Sequence, residues 1–207
     1  MNIQDLYILL QSNGINTESY SIGKAKSVEQ LHKEILLGET KIIMDGEKLI
    51  REIDALYLVI KRSIDSNILR EKWQQHAGKQ KNYRFCLLAE KMINGESDDI
   101  ECIVTRAINE ELGSLQIKLE FNIELNTLYK YKHEIISESY PELTTRYNIY
   151  LIQVKINNLP ETDFETIEYE KENPLKIRLT TAWEWVEPSQ ENFKPQAIQK
   201  YLDKYQL

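Results

Sequence analysis

Apolar residues near the start of the chain recur with helical spacing and predict two short helices. The first runs from Ile3 to Leu10 and stops at Asn13-Gly14. The second is expected to begin at Ser27, which forms a capping-box pattern with Gln30, and to continue to Leu37-Gly38. Residues 1–50 are therefore expected to form a small helical N-terminal extension.

A hairpin and a strand are predicted next. Asp45-Gly46 separates the apolar runs 41–44 and 47–50, and Asp-Gly supplies the positive φ that a two-residue hairpin turn requires. A strand rich in Leu, Val and Ile follows from about Ile53 to Arg62. The polar stretch 63–82 is predicted to be a long surface loop with some helix.

The clearest helix of the sequence covers residues 100–112. Ser97 or Asp98 can cap its start, and Gly113 is expected to end it in the left-handed conformation. Its apolar face consists of Ile100, Ile103, Val104, Ala107, Ile108 and Leu112.

Strand patterns dominate the rest of the chain, and together with this helix they indicate the fold class. They cover residues 83–88, 116–125, 152–156, 164–170 and 177–185, before a closing helix at 195–205. Mixed strands around one prominent helix are typical of an α/β or α+β protein. We expect one main domain over 51–207 after the extension at 1–50.

Composition and charge narrow the classes of partner. The chain has 207 residues, with 26 Lys and Arg against 33 Asp and Glu, and a net charge of −7. This balance argues against nucleic acid as a partner, because nucleic-acid binding needs a basic face. No apolar run approaches the ~20 residues of a membrane span, and no signal peptide is recognisable, so a cytoplasmic protein without membrane contact is expected.

Two adjacent carboxylates near the end of the 100–112 helix are the first candidates for chemistry. Glu111 lies seven residues after Val104 and four after Ala107, at the margin of the buried stripe. A partly buried carboxylate needs a partner, either a hydrogen-bond donor or a metal ion. With Glu110 beside it, Glu111 suggests a cation site.

The segment that contains these carboxylates resembles the sequence box of the Nudix hydrolase family. That box has Gly, five residues, Glu, seven residues, and then Arg-Glu-aliphatic-any-Glu-Glu-any-Gly-aliphatic. The matching residues are Glu96, Arg106, Ile108, Glu110, Glu111 and Gly113. The resemblance covers about residues 50–190 and implies a Nudix-like α/β/α sandwich with a mixed sheet.

Four departures from the box affect its chemistry. Glu90 stands where the family has the box glycine, and nine residues instead of seven separate Glu96 from Arg106. Ala107 replaces the Glu that follows the Arg, and Ser114 replaces the last aliphatic residue. The substitution at position 107 removes one of the family's central carboxylates.

The resemblance implies hydrolysis of a pyrophosphate bond in a nucleoside diphosphate derivative, with Mg²⁺ or Mn²⁺. Glu110 and Glu111 would be metal ligands and catalytic residues, and Arg106 would orient them. Such an ion is needed because an acidic protein and an acidic pyrophosphate repel each other.

The other roles implied by the resemblance fall on carboxylates outside this helix. Glu96 would support the metal site through an ion pair in its loop, and Asp98 is the alternative at the family's usual spacing. Glu90 would replace the lost carboxylate as ligand or base. Glu168 and Glu170 are weaker candidates for a distal carboxylate.

Two functions follow as expectations. The first is a metal-dependent hydrolase that acts on a small-molecule nucleotide derivative. The second, motivated by Ala107 and Glu90, is a module with the same fold that has lost turnover and binds a nucleotide-like ligand or a protein partner as a sensor or regulator. Since Nudix-like proteins often dimerise, a homodimer is among the expected assemblies.

Overall fold

The structure is a computed structural model, and it describes residues 1–62, 64–93, 99–170, 173–189, 193 and 196–205. Over these residues the chain has an α+β fold with a mixed sheet and few helices, which confirms the predicted fold class. The helices are α1 (Ile3–Ser12), α2 (Val28–Leu36), α3 (Ile100–Leu112) and α4 (Gln196–Tyr205).

The described strands form one nine-stranded sheet. Their bounds are β1 (Lys41–Asp45), β2 (Lys48–Lys61), β3 (Ile68–His76), β4 (Asn82–Cys86), β5 (Leu88–Lys91), β6 (Phe121–Ile136), β7 (Thr144–Ile156), β8 (Phe164–Glu170) and β9 (Asn173–Val186). The main order is β6-β7-β2-β3-β9-β8, with β1 and β5 paired to β2 and β4 paired to β3. The β3–β9 and β8–β9 pairs are antiparallel.

The two helices and the hairpin predicted for the first fifty residues are present. Both short helices are present, and Ser27 and Gln30 make the reciprocal contacts of a capping box at the start of α2. The β1–β2 hairpin is also present, but Asp45 pairs with Lys48 at the strand ends, so the turn residues are Gly46, with φ +61°, and Glu47, one position later than predicted. The domain boundary after residue 50 stays a prediction.

The prediction of a loop over 63–82 is wrong, because β3 and the start of β4 lie there. Apolar side chains of β3 are buried, including Ile68, Leu69 and Trp73, and charged residues stand between them. An irregular register in the middle of this strand breaks the alternation on which the prediction depended.

The ends of α3 differ from those predicted. Ser97 and Asp98 lie outside the described residues, and the N-cap is Asp99, whose side chain accepts a hydrogen bond from the backbone N–H of Cys102. Gly113 has right-handed φ and ψ of −61° and −24° and begins a short 3-10 turn, so the predicted left-handed end at Gly113 is wrong. The left-handed residue is Gln116, at φ +55°.

By its internal contacts the chain divides into two units. The first comprises residues 1–55, 91–98 and 131–149, and the second comprises 56–90, 99–130 and 150–207. None of the described helices has the length and apolar character that crossing a membrane would require.

The first unit has its own core and a buried ion pair. The core consists of Leu6, Leu10, Tyr20, Val28, Leu31, Leu49, Tyr140 and Leu143. Beside it, Arg51 donates to Glu34 at 2.6 Å and lies 4.7 Å from the ring centroid of Tyr140. Burial alone would raise the pKa of Glu34, but hydrogen bonds from Lys26 and Arg51 lower it, so Glu34 is ionised.

The second unit contains α3 and the strands that position the candidate site. Its buried side chains include Leu58, Ile60, Leu69, Ile103, Val104, Ile108, Leu151, Val154, Trp183 and Tyr201. Helix α3 contacts β8, and the hydroxyl of Ser114 just after the helix accepts a hydrogen bond from the backbone N–H of Ile167 at 2.9 Å. This contact fixes the end of α3 against the edge strand of the sheet.

Candidate functional site

Helix α3 places Glu111 at the margin of its buried face, as the helical spacing predicts. Ala107 and Leu112 are fully buried, whereas Glu111 is half-buried. Burial raises the pKa of Glu111 to about 7, and the negative charges of three further glutamates contribute to the rise: Glu168, Glu71 and Glu90. Four glutamates of the second unit therefore lie close enough to interact electrostatically.

A bulge in β3 turns Glu71 toward this cluster. On β9, Glu71 is opposite Trp183 and Trp73 is opposite Ala182, so Lys72 is an extra residue in β3. Because successive residues of β9 point to opposite faces, Glu71 and Trp73 also lie on opposite faces of the sheet. Without the bulge, Glu71 and Trp73 would share one face.

Glu168 lies on the same face of the sheet as Glu71. The register pairs Phe164 with Trp183, Thr166 with Thr181 and Glu168 with Leu179, so these residues share one face. The buried Trp183 indole donates to the hydroxyl of Thr166 at 2.8 Å. This hydrogen bond satisfies the indole N–H beneath the carboxylates.

Glu71 is the most buried member of the cluster, at 4% exposure. Burial raises its pKa, while Arg84 and Cys86 act in the opposite direction. The Cys86 thiol, whose own pKa burial raises to about 12, donates to Oε2 of Glu71 at 3.7 Å. The other oxygen, Oε1, lies 3.1 Å from Nε of Arg84 but has no hydrogen-bond partner.

Three of the four glutamates have an arginine partner. The pairs are Glu71 with Arg84, Glu90 with Arg106, and Glu168 with Arg178. Glu111 has none among the described residues, and Arg84 is the cation that lowers its pKa from a distance. In the part of the chain that the structure describes, the site is thus a carboxylate without an ion-pair partner and three carboxylate–arginine pairs around it.

The structure brings together some of the residues predicted from the sequence. Glu90, on β5, and Arg106 form an ion pair at 3.4 Å, and Glu90 is one of the carboxylates that raise the pKa of Glu111. Glu110 is exposed and is not among the carboxylates that raise the pKa of Glu111. Glu96 lies outside the described residues.

The remaining predicted carboxylates differ in their positions. Glu168 belongs to the cluster, whereas Glu170 pairs with Lys176 at 2.6 Å near the hairpin end. Sequence reasoning missed Glu71 and Arg84 because both were assigned to a loop or to an ordinary strand. The signal available was Glu71 between the apolar residues Leu69 and Trp73, a pattern that favours a strand.

The chemistry of this donor set fits Mg²⁺ or Mn²⁺, which prefer carboxylate oxygens. A cation would neutralise Glu111 and satisfy the buried Oε1 of Glu71. Within the described ranges, no three His, Cys, Asp or Glu side chains are arranged so that they could hold a metal ion as they stand. These glutamate side chains would have to rotate to hold a metal ion together. Arg84 is the group in contact with Oε1 of Glu71.

Comparisons with known proteins give structural similarities only. No family model matches the chain, and no curated protein matches it. The chain is similar to a solved structure described as a Nudix hydrolase from Nitrosomonas europaea, with 14% identity, a TM-score of 0.43, and coverage of 75% of this chain and 88% of that one.

A second similar structure belongs to a study of MutT from Aliivibrio salmonicida and Vibrio cholerae. It has 14% identity and a TM-score of 0.37, and the match covers 74% of this chain and 98% of that one. Neither similarity assigns the chain to a family, so its function is argued from its own residues.

Proposed function

We propose that the chain is a hydrolase that uses Mg²⁺ or Mn²⁺ to cleave a pyrophosphate bond in a nucleoside diphosphate derivative. The supporting observation is the position of Glu111, a half-buried carboxylate without a cationic partner among the described residues, surrounded by three other glutamates. Such an arrangement is electrostatically unfavourable on its own and favours a divalent cation. The reaction class comes from the resemblance of residues 95–115 to the Nudix box.

In this proposal the carboxylates of Glu71, Glu90 and Glu111 hold the cation. Arg106 fixes Glu90 through its ion pair. A bound divalent ion would neutralise phosphate charge and favour ionisation of a water molecule. Without metal the pKa of Glu111 is about 7, and a bound cation would lower it, so Glu111 would be ionised at neutral pH when it acts as a ligand.

Glu71 compensates for the carboxylate that the box has lost. The side chain at position 107 is a fully buried methyl group and offers no ligand. The bulge at Lys72 supplies a carboxylate from β3 to the same neighbourhood. We therefore assign Glu71, together with Glu90, the ligand position that Ala107 cannot fill.

The test is turnover of a panel of nucleoside diphosphate derivatives with Mg²⁺ or Mn²⁺. Glu111→Gln and Glu71→Gln each remove a carboxylate ligand of the cation and should each reduce kcat by at least about 10–100-fold, the usual cost of a change at a metal site. Glu101→Gln, an exposed change on the same helix, is the matched control and should keep full activity. Equal rates in the wild type and Glu111→Gln would contradict the proposal.

A second candidate function is a binding module without turnover, and the fully buried Ala107 favours it. This module would bind a nucleotide-like ligand and hydrolyse none of the panel. Its signature would be a rise in Tm with nucleotide and divalent ion in the absence of product. Turnover that Glu111→Gln abolishes would eliminate this alternative.

A further inference from the structure

We propose that Arg84 is an internal cation that occupies the carboxylate cluster in the ligand-free protein and leaves Glu71 when a divalent cation binds. This inference rests on the proposed function, since it concerns competition for the same carboxylate oxygens. It assigns Arg84 an inhibitory contact with the site.

Arg84 contacts Glu71 and Gln74 with its guanidinium. Its Nε lies 3.1 Å from Oε1 of Glu71, and its Nη1 donates to Oε1 of Gln74 at 2.7 Å. It also acts electrostatically on Glu111. A guanidinium here partly neutralises two carboxylates, which a divalent cation would do more completely.

The backbone of β4 directs Arg84 toward the cluster. Between its pairs with Trp73 and Glu71, β3 advances by two residues and β4 by three, so β4 also carries an extra residue. Phe85 lies in this segment with φ +52°, a conformation that non-glycine residues rarely adopt. The rings of Tyr83 and Phe85 are 5.9 Å apart, and both are exposed.

Arg84 and Glu71 differ in how readily they can move. The side chain of Arg84 is 41% exposed, whereas that of Glu71 is 5% exposed. The guanidinium can therefore rotate into water and stay solvated, while the carboxylate stays buried. Displacement of Arg84 leaves Oε1 of Glu71 available to an incoming cation.

The ion pair of Arg84 with Glu71 differs from the other two carboxylate–arginine pairs in its geometry. In the Arg84 pair the carboxylate oxygen, Oε1 of Glu71, is buried and has no hydrogen bond, although the charges are 3.1 Å apart. A metal ion can replace such a contact without breaking a hydrogen bond to that oxygen. The carboxylates of the other two pairs, Glu90 and Glu168, are more exposed than that of Glu71.

The test is a titration of the full chain with Mn²⁺. Binding is monitored by electron paramagnetic resonance, in which the signal of free Mn²⁺ decreases as the ion binds. Arg84→Gln should bind Mn²⁺ about tenfold more tightly than the wild type, and Arg84→Lys should lie between them. Lys72→Gln is the matched control because it removes the same charge from the residue next to Glu71. A single charge about 10 Å from a divalent ion changes its affinity about fourfold in water without salt and about twofold or less in physiological salt.

A double-mutant cycle separates the local contact from general charge effects. In a Glu71→Gln background the ion pair is already lost, so Arg84→Gln should change Mn²⁺ affinity no more than Lys72→Gln does. Mg²⁺ is diamagnetic and can therefore be titrated in an NMR experiment. The signal of the Arg84 Nε–H should shift as the ion pair of Arg84 with Glu71 breaks. The proposed role of Arg84 requires both the small affinity change in the Glu71→Gln background and the shift of this NMR signal.

The outcomes distinguish this inference from the proposed function. If the wild type and Arg84→Gln bind Mn²⁺ equally and Glu111→Gln abolishes binding in both, the role of Arg84 is overturned and the metal site stands. If neither protein binds Mn²⁺, with or without ADP, both proposals are overturned. If Lys72→Gln also binds Mn²⁺ more tightly than the wild type, the gain in affinity comes from net charge alone. That result would also overturn the role of Arg84.

Discussion

At the scale of single residues, the candidate site depends on which carboxylates have a cation beside them. Glu71, Glu90 and Glu168 each have an arginine, and Glu111 has none among the described residues. The unusual position of Glu111 could be predicted, because helical spacing alone puts it at the margin of a buried stripe. Of its neighbours, Glu90 and Glu168 were candidates only through the family resemblance, and Glu71 was not predicted, because strands distant in sequence bring these residues together.

Glu111→Gln should change stability in a pH-dependent way in metal-free buffer. The pKa of Glu111 in the folded protein is about 7, above its ordinary 4.5, so the folded state binds the proton more tightly than the unfolded state. Ionisation of Glu111 therefore lowers stability as pH rises from about 4.5 to about 7. We expect Glu111→Gln to be more stable than the wild type by about 1–3 kcal/mol at pH 8. This range is smaller than the full pKa difference would give, because solvent screens a partly exposed carboxylate.

Urea denaturation with EDTA at pH 5 and pH 8 measures this difference. At pH 5 the difference should be well under half of that at pH 8, because Glu111 is still protonated in the folded state while it is partly ionised in the unfolded state. The exposed change Glu101→Gln serves as control for a lost charge on α3. A stability difference of the same size at both pH values would contradict the raised pKa.

At the scale of elements, sequence patterns predicted the helices and strands whose apolar residues follow one periodicity throughout. Helix α2 and the β1–β2 hairpin have local signals in the capping box at Ser27 and in Gly46 at the hairpin turn. Strand β3 was missed because its polar and apolar residues change faces at Lys72. No local propensity encodes that change, since pairing with β4 and β9 determines it.

Helix α2 and strand β2 are joined by the buried pair of Glu34 and Arg51, and this predicts a large effect of breaking it. Glu34→Ala leaves an unpaired guanidinium at 4% exposure and should cost about 3–5 kcal/mol. Combining Glu34→Leu with Arg51→Met removes both charges and should restore much of that loss. Urea denaturation at pH 7 gives the free energies of unfolding, and additive losses in the double variant would contradict the coupling.

At the scale of the whole molecule, the net charge of −7 opposes binding of any polyanionic ligand. ADP should therefore bind weakly in EDTA, and Mg²⁺ should lower its Kd at least about tenfold. Isothermal titration measures both values, with uncharged adenosine as the control whose Kd should not respond to Mg²⁺. The same ADP affinity with and without Mg²⁺ would show that the ligand does not need the cation.

The extra residue in β3 has a consequence for how variants of this chain should be aligned and engineered. In a regular strand, residues 71 and 74 would point in opposite directions, yet here Glu71 and Gln74 both contact Arg84. Deleting Lys72 would remove the bulge and leave Glu71 and Gln74 two positions apart in a regular strand, so both would still lie on one face of the sheet. The spacing of three between Glu71 and Gln74 is thus a signature of this site that a residue-by-residue substitution score would overlook.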